Sequence, residues 1–376
     1  MGVPALGDDE LAGWLRLTQT AGVGPATCRT LLAAFGLPEA VFAATREELV
    51  RVVTPTLAVA LHTPPNACLA ALTARTLEWL NEPGNEVVTL ADSRYPTALL
   101  ETFDPPPLLY VKGRIDRLLT SPLAIVGSRN ATPQGTIDAR RFAEALAAAG
   151  YTIVSGLAVG IDAAAHEGAL AAGPDAGSTI AVIGTGADIV YPSSHRALAH
   201  RIAEQGAIVS ELPLGTTASA HQFPRRNRII AGLSRGVLVI EAAARSGSLI
   251  TARLASECGR EVFAVPGSIH SPLSKGCHQL IRQGAKLVES VADILDELRG
   301  SDGPIVVRPA TGMPSVPASG DDETLVSLIG FDPVTADDLA ERSGWSTARL
   351  SARLLDLELA GRISRLPGGR VQRLIA

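Results

Sequence analysis

The chain has 376 residues and a formal net charge of −5, and its length allows two or three domains with sizeable cores. Apolar residues make up 46% of it and charged residues 19%, which excludes wholesale disorder. The acidic balance excludes a uniformly basic nucleic-acid binder but not a local basic groove. Of the 33 basic residues, 30 are arginines, which bind phosphates as forks and stack on rings. Genomic bias explains the same excess, so both explanations stay open.

The sequence carries no recognisable targeting or metal-binding pattern. The N-terminus holds Asp8, Asp9 and Glu10 without an apolar signal-peptide core, and glycines and polar residues interrupt the longest uncharged stretch, 145–161. The four cysteines form no CxxC pair, and the seven histidines show no ligand spacing. We therefore expect a cytoplasmic protein that binds no metal, cofactor or membrane.

Composition divides the chain into four units. Residues 300–320 hold four glycines, four prolines and three serines, which is typical of a linker. We predict a helical domain over 1–84, an α/β domain over 85–300, a flexible linker over 301–320 and a small domain over 321–376. In the first unit, Gly22-Val23-Gly24-Pro25 separates two helical patterns, as in helix-hairpin-helix and sterile-alpha-motif-like modules. Such a turn can hold a phosphate, but a plain interhelical turn explains it equally well.

The central unit alternates between strands and helices. Apolar strands are predicted at 123–126, 151–154, 179–183, 237–240 and 262–265, and helices at 134–149, 160–172, 194–205 and 247–258. Continuous apolar strands between helices indicate a parallel sheet covered on both faces. The predicted fold class is α/β, with an extended Rossmann-like, mostly parallel doubly wound sheet. Such sheets bind ligands at the carboxyl ends of their strands.

Four loops at the predicted strand ends are rich in small residues. They contain Gly127-Ser128-Arg129, Ser155-Gly156, Gly184-Thr185-Gly186 and Ser246-Gly247-Ser248. Small residues allow close backbone approach, and each loop leads towards a helix N-terminus, so together they predict a phosphate-binding rim. Tight turns also need small residues, so one such loop alone would be weak support. Neither GxGxxG nor a Walker A pattern occurs, which disfavours a dinucleotide site and a P-loop ATPase.

A basic stretch lies between the third and fourth of these loops. It contains Phe223, Arg225, Arg226, Asn227 and Arg228. No acidic residue occurs between Glu211 and Glu241. Guanidinium groups bind phosphates and an aromatic ring stacks on a base, so the stretch suits single-stranded nucleic acid. The alternative is a solvated helix start with Phe223 in the core.

Three further residues are candidates for chemistry. Asp162 and His166 are spaced i, i+4 on one helix face, where a structural hydrogen bond is more common than an acid–base pair. Glu241 ends a strand at the same edge as Arg129 and would be a catalytic carboxylate or orient an arginine. The sequence offers no nucleophile, base and oxyanion set, so we predict no catalytic residue.

The last 56 residues have the pattern of a winged helix. Helices are predicted at 335–343 and 346–359, with a turn at Gly344, and 362–374 reads as a two-stranded wing that turns at 367–369. Arginines outnumber acidic residues in the last 28 residues, so this surface permits contact with duplex DNA. Many winged helices instead bind protein or only pack.

These motifs, taken in order, resemble the DNA-processing protein A family, DprA, also called Smf. The matching segments are 124–129, 155–158, 160–162, 165–166, 191–192, 210–211, 223–232, 241–242, 246–252 and 264–267. The dense match covers residues 85–300. The family's pocket positions correspond here to Arg129, Phe223, Arg226, Asn227 and Arg228. Many members have a lysine three residues before the phenylalanine, where this chain has Ala220.

The resemblance implies a non-enzymatic protein that binds single-stranded DNA, usually as a homodimer. It implies protection of incoming strands in natural transformation and loading of RecA on them against single-strand-binding protein. Two alternatives stay open: a Rossmann protein that only binds nucleotides, and a nucleoside-monophosphate N-glycosidase that uses Arg129 and Glu241.

Overall fold

The computed structural model describes residues 6–299, 320–330, 333–366 and 368–374. Six helices come first: α1 (Asp8–Gln19), α2 (Pro25–Phe35), α3 (Pro38–Ala43), α4 (Arg46–Val50), α5 (Pro55–His62) and α6 (Ala67–Leu80). Proline begins three of them, where its missing N–H costs no hydrogen bond. Thr45 and Glu48 form a capping box that fixes the start of α4.

The N-terminal helices pack directly against one edge of the central sheet. Trp14 on α1 and Trp79 on α6 share a buried cluster with Val87 and Tyr110 of that edge. The rings of Trp79 and Tyr110 meet edge to face, with centroids 5.8 Å apart. This shared apolar core fixes the helical part against the sheet.

The sheet has nine strands. They are β1 (Asn85–Thr89), β2 (Leu108–Gly113), β3 (Pro122–Gly127), β4 (Thr152–Ser155), β5 (Thr179–Val182), β6 (Ala207–Ser210), β7 (Gly236–Ile240), β8 (Glu261–Ala264) and β9 (Lys286–Leu287). Their order is β1-β2-β6-β5-β4-β3-β7-β8-β9. Strands β3 to β9 pair in parallel, and β1 and β2 add an antiparallel edge. The predicted fold class is confirmed.

Helices cover both faces of the sheet. They are α7 (Thr97–Leu100), α8 (Pro133–Ala148), α9 (Ile161–Ala171), α10 (Arg196–Gln205), α11 (Gln222–Leu233), α12 (Ser248–Glu257), α13 (Lys275–Arg282) and α14 (Val291–Arg299). Neighbouring strand residues face opposite layers: Ile125 packs with α8 and α9, and Val126 with α11 and α12. The chain winds one way from β3 to β6 and the other way from β7 to β9. The switch point therefore lies between β3 and β7, where such sheets bind ligands.

The five predicted strands are present within one or two residues, but strands β1, β2, β6 and β9 and helices α7, α11, α13 and α14 were not predicted. The strand pattern of β9 is only two residues long, and β1 and β2 lie outside the parallel alternation. Helix α11 begins with the polar turn Gln222-Phe223-Pro224-Arg225, which resembles a loop in sequence. The domain boundaries remain predictions, and the predicted linker residues 301–319 lie outside the described residues.

The C-terminal part is a winged helix, as predicted. It comprises α15 (Gly320–Ile329), β10 (Val334–Thr335), α16 (Ala336–Ser343), α17 (Thr347–Leu359), β11 (Ile363–Leu366) and β12 (Arg370–Arg373). Gly344 ends α16 in the left-handed conformation, and Ser346 caps α17. Of the predicted wing turn, Pro367 lies outside the described residues. None of the described helices combines the length and the apolarity needed to cross a membrane.

Candidate nucleic-acid interface

A cavity of about 800 Å³ opens at the switch point of the sheet. Its walls come from the loop after β3, the loop before α12 and the first turns of α11. The sequence-predicted residues that line it are Gly127, Ser128, Arg129, Phe223, Arg226, Asn227, Ser246, Gly247 and Ser248. The cavity has the size and position expected of a ligand site in this fold.

Arg129, Phe223 and Tyr191 form one cluster at the cavity. The guanidinium carbon of Arg129 lies 5.4 Å from the centroid of the Phe223 ring, and the Tyr191 ring centroid lies 5.6 Å from that of Phe223. Phe223 packs over Gly184, where an added Cβ would stand 2.9 Å from its ring. Arg129 and Tyr191 are exposed, and no carboxylate in the described part of the chain pairs with Arg129. The cluster therefore offers a cation and two rings to a ligand.

Arg226 lies beneath the cavity rather than at its mouth. Its side chain is buried, and it donates to the backbone carbonyl of Val182. Burial lowers the pKa of Arg226 to about 10, and the nearby Asp162 carboxylate opposes that shift. Gly156 leaves the space that the guanidinium fills, since an added Cβ there would overlap it. Arg226 therefore shapes the floor of the cavity and compensates a buried carboxylate.

The loop after β4 is held in place by two buried side chains, and only its residue Ala158 lines the cavity. Asp162 accepts hydrogen bonds from the N–H groups of Gly156, at 3.1 Å, and Ala158, at 3.4 Å. His166 Nε2 accepts from the N–H of Leu157 at 3.3 Å, and its Nδ1 lies 2.7 Å from Thr179 Oγ1. Burial lowers the pKa of His166 to about 3, so the ring is neutral. The expected hydrogen bond between Asp162 and His166 is not among these contacts, because each side chain instead binds the backbone of the loop. Both residues are therefore structural.

Four of the predicted rim residues are outside the cavity lining. Ser155 is fully buried and donates to the carbonyl of Ile125 at 2.6 Å, and Gly156 lies against Arg226. Gly184 is covered by the Phe223 ring, and the N–H of Gly186 bonds the carbonyl of Thr216. The expectation of a rim built from all four loops is therefore corrected: the first and fourth loops line the cavity together with Ala158 of the second, and Gly184-Thr185-Gly186 does not line it. The roles of these four residues in DNA binding stay predictions.

The loop before α12 forms the opposite wall. The hydroxyls of Ser246 and Ser248 lie 2.7 Å apart, and the Asn227 amide donates to the carbonyl of Gly247 at 3.4 Å. At the start of α12 the Ser248 N–H donates to Ser246 Oγ at 3.3 Å, and the Leu249 and Ile250 N–H groups donate to the carbonyls of Ser246 and Gly247. Exposed helix N-termini favour anions. This wall therefore places the Ser246 and Ser248 hydroxyl groups and a helix N-terminus opposite Arg129.

Arg225 and Arg228 point away from the cavity. Both pair with Glu211: Arg225 Nε lies 3.3 Å from it, and Arg228 forms a second ion pair with it. Arg228 also donates to the backbone carbonyl of Asp104 at 2.8 Å. The sequence between Glu211 and Glu241 contains no acidic residue, but Glu211 itself pairs with both arginines in the folded chain. The structure does not bring these two predicted residues into the site, and their contact with DNA stays a prediction.

Glu241 binds Thr132 at the start of helix α8 and pairs with no arginine in the described part of the chain. Its carboxylate accepts from the Thr132 N–H at 2.8 Å and from the Thr132 hydroxyl, at the start of α8. Burial raises the pKa of Glu241, and the hydrogen bonds from Thr132 oppose that rise. The expectation that Glu241 acts on Arg129 or faces a substrate is not met, because its carboxylate is already occupied.

Two lining residues were missed as site candidates. Arg245 is exposed directly before the Ser246–Ser248 loop, and Tyr191 was recognised only as part of a family match. The charged lining residues are Arg129, Arg226, Arg245 and Asp162. Because Asp162 and Arg226 compensate each other, Arg129 and Arg245 leave the mouth of the cavity positive. Its position directly before the glycine-containing loop Ser246-Gly247-Ser248 is the sequence signal that would have identified Arg245.

Three family models match this chain. The family described as DNA recombination-mediator protein A matches residues 86–299, and a DprA-like N-terminal HHH domain matches 8–45. A DprA winged helix domain matches 309–369. The chain belongs to the DprA family. Among similar proteins, Protein Smf of Escherichia coli is 45% identical over 302 residues, which cover 79% of this chain and 80% of that protein.

Solved DprA structures share the fold. DNA processing protein A from Streptococcus pneumoniae superposes with a TM-score of 0.65 at 37% identity, covering 78% of this chain and 99% of that one. DNA processing protein A from Helicobacter pylori has a TM-score of 0.51 at 31% identity, covering 57% and 96%. The latter structure concerns that protein's single-stranded DNA binding mode. DprA membership gives this chain a role in DNA processing as a recombination mediator.

Proposed function

We propose that this DprA chain binds single-stranded DNA in the switch-point cavity, protects incoming strands and loads RecA on them against single-strand-binding protein. The observation that carries the proposal is the uncompensated Arg129 guanidinium beside the Phe223 and Tyr191 rings. A single strand offers a phosphate and an unpaired base at each step, and this cluster has a partner for both. The solved Helicobacter pylori relative, with its single-stranded DNA binding mode, supports the choice of ligand.

The strand would pass between two walls of the cavity. Arg129 and Arg245 contact phosphates, Phe223 stacks on a base, and the Ser246–Ser248 loop donates hydrogen bonds to a further phosphate. Ala220 also lines the cavity and brings no charge where many family members have lysine. Arg245 is the exposed lining cation that compensates for it in this proposal. Compared with the sequence-based prediction, the proposed set of DNA-contacting residues therefore leaves out Arg225 and Arg228 of α11 and adds Arg245.

No chemical step is part of the proposal. The N-glycosidase alternative needs a free carboxylate at the substrate, and Glu241 is bound to Thr132. A protein that senses only a nucleotide would bind a mononucleotide as well as an oligonucleotide. Titration calorimetry with a deoxynucleoside monophosphate and with short oligo(dT) separates that alternative from the proposal.

The binding part is tested by fluorescence anisotropy with labelled oligo(dT) at several salt concentrations. We expect Arg129→Ala and Arg245→Ala each to weaken binding and to lower the salt slope by about 1, because each removes one phosphate contact. Arg253→Ala is the matched control, since Arg253 is 71% exposed on α12 outside the cavity. Unchanged affinity and slope in both cavity variants would overturn the proposed site.

The RecA part needs a separate assay. RecA filament growth is measured on single strands already coated with single-strand-binding protein, with and without this chain. We expect the wild-type chain to accelerate growth and Arg129→Ala to lose that effect in proportion to its lost affinity. If the wild-type chain binds DNA and leaves growth unchanged, loading is excluded and binding is retained. The homodimer that the family implies is measured by sedimentation of the same samples.

A further inference from the structure

The loop that carries Arg129 is tied at both ends to the end of strand β7. At its start, Gly127 pairs in register with Ile240, and an added Cβ on Gly127 would overlap the Ile240 carbonyl oxygen. At its end, the N–H of Thr132 donates to the Glu241 carboxylate at 2.8 Å, and the Thr132 hydroxyl donates to the same carboxylate. Two consecutive residues, Ile240 and Glu241, therefore hold the two ends of this loop.

The Thr132 side chain also joins the loop to helix α8. Its hydroxyl accepts a hydrogen bond from the Gly135 N–H at 3.0 Å, so it caps the helix while it donates to Glu241. Gly135 has no side chain, and a Cβ added there would overlap the carboxyl group of Glu241. The start of the helix is therefore shaped to admit this carboxylate.

The backbone of Glu241 adopts an uncommon conformation. Its φ of 51° lies in the left-handed region, which glycine and asparagine adopt more readily than glutamate does. A residue stays in this region where the surrounding structure holds it, and such positions cluster at functional sites. At this position the glutamate side chain makes the two hydrogen bonds with Thr132, which a glycine could not make.

Further contacts hold the middle of the loop. The carbonyl of Ser128 accepts from the Ile161 N–H at 3.2 Å, and Ser128 Oγ accepts from the Asn130 N–H at 3.1 Å. The Arg129 side chain is exposed, with its guanidinium carbon 5.4 Å from the centroid of the Phe223 ring. Because the backbone on both sides of Arg129 is held, the loop loses little conformational entropy when the guanidinium binds a ligand.

We infer that Glu241 is a positioning residue for DNA binding, which holds the Arg129 loop through Thr132 rather than through contact with Arg129. The inference rests on the proposed function, because that function gives Arg129 its phosphate contact. The alternative is that Glu241 only stabilises the fold at the start of α8.

The chain offers a matched control for the loss of these hydrogen bonds. The Glu48 carboxylate at the start of α4 accepts from the N–H and from the hydroxyl of Thr45, each at 2.8 Å. These are the same two donor groups that Thr132 presents to Glu241, at a helix start that does not line the cavity. Glu48→Gln therefore reproduces the chemical change away from the Arg129 loop.

A double-mutant cycle, measured by fluorescence anisotropy with labelled oligo(dT), tests the inference. We expect Glu241→Gln to weaken binding about five- to tenfold, the effect of losing one or two hydrogen bonds. The salt slope should stay at the wild-type value, because Arg129 is still present. In an Arg129→Ala chain, Glu241→Gln should have no further effect. Thr132→Ser, which keeps both donors, and Glu48→Gln should bind like the wild type.

The cycle separates this inference from the proposed function. If Arg129→Ala alone leaves binding unchanged, the proposed site fails and the inference fails with it. If Arg129→Ala weakens binding but Glu241→Gln weakens it equally in both backgrounds, only the inference fails. It also fails alone if Glu241→Gln binds like the wild type while Arg129→Ala does not.

Hydrogen exchange of the DNA-free chain tests the loop itself. We expect faster amide exchange over residues 127–136 in Glu241→Gln, because one acceptor oxygen becomes an amide group that donates. Glu241→Gly, which suits the left-handed backbone but lacks the carboxylate, should show the same change. Glu48→Gln should accelerate exchange only around α4. Circular dichroism confirms folding, and unchanged exchange over 127–136 in either folded Glu241 variant would overturn the inference.

Discussion

Arg228 and Glu211 form an ion pair on the face of helix α11 opposite the cavity, with side chains only 11% and 6% exposed. Burial raises the pKa of Glu211, and the two arginines beside it oppose that rise. A buried carboxylate that loses its partner is strongly destabilising. The pair therefore stabilises the position of α11, the helix that carries Phe223 and Asn227 into the cavity.

We expect Arg228→Ala to lower the free energy of unfolding by about 3 kcal/mol, because it leaves Glu211 buried with only Arg225. Arg225→Ala should cost less than about 1 kcal/mol, because that side chain is 52% exposed. Urea denaturation measures both. A salt slope for oligo(dT) that stays at the wild-type value in folded Arg228→Ala supports a structural role. A slope lowered by about 1 would instead return Arg228 to the DNA contacts.

The Phe223 ring is expected to contribute stacking energy to DNA binding. Phe223→Leu keeps an apolar cover over Gly184 but removes the aromatic face, so affinity for oligo(dT) should fall by about 1–3 kcal/mol. The salt slope should not change, because no charge is removed. Anisotropy titrations at two salt concentrations check both statements. An equal loss in Leu119→Glu, which is remote from the cavity, would show that the effect is not stacking.

Gly156 and Gly184, which follow two strands, should respond to substitution differently from Gly247, which lines the cavity. An added Cβ at Gly156 overlaps the Arg226 guanidinium, and one at Gly184 meets the Phe223 ring at 2.9 Å, whereas Gly247 has open space. We expect Gly156→Ala to destabilise the fold by about 1–3 kcal/mol, as overpacking does. Gly184→Ala should mainly weaken DNA binding by displacing Phe223, and Gly247→Ala should be neutral. Thermal unfolding and anisotropy distinguish the three outcomes, and a destabilised Gly247→Ala would contradict the steric argument.

The parallel part of the sheet was predictable because each central strand is apolar throughout and a helix follows it. The antiparallel edge was not predictable from the local sequence. Strand β2 pairs with β6, β1 pairs with β2, and both strands pack against Trp14 and Trp79. Arg129 and Phe223 were expected at the same sheet edge, and the structure brings them together at one cavity. Arg225 and Arg228 were predicted at the same site because no acidic residue occurs near them in the sequence. Glu211, at the border of that window, pairs with both through space, which no linear count reveals.

The neutral buried His166 should make stability fall in acid. Its folded pKa of about 3 is below the ordinary value of 6.5, so the unfolded chain binds the extra proton between those values. Stability from this group is complete above about pH 6.5 and decreases as the pH falls towards 3, by up to about 1.4 kcal/mol per pH unit. Asp162 has the opposite sign, because its folded pKa is raised by burial. The two contributions are separated by subtracting urea-unfolding curves of His166→Gln from those of the wild type between pH 4 and 7. We expect the difference to shrink as the pH is lowered, and a difference that is independent of pH would show that His166 is not held neutral.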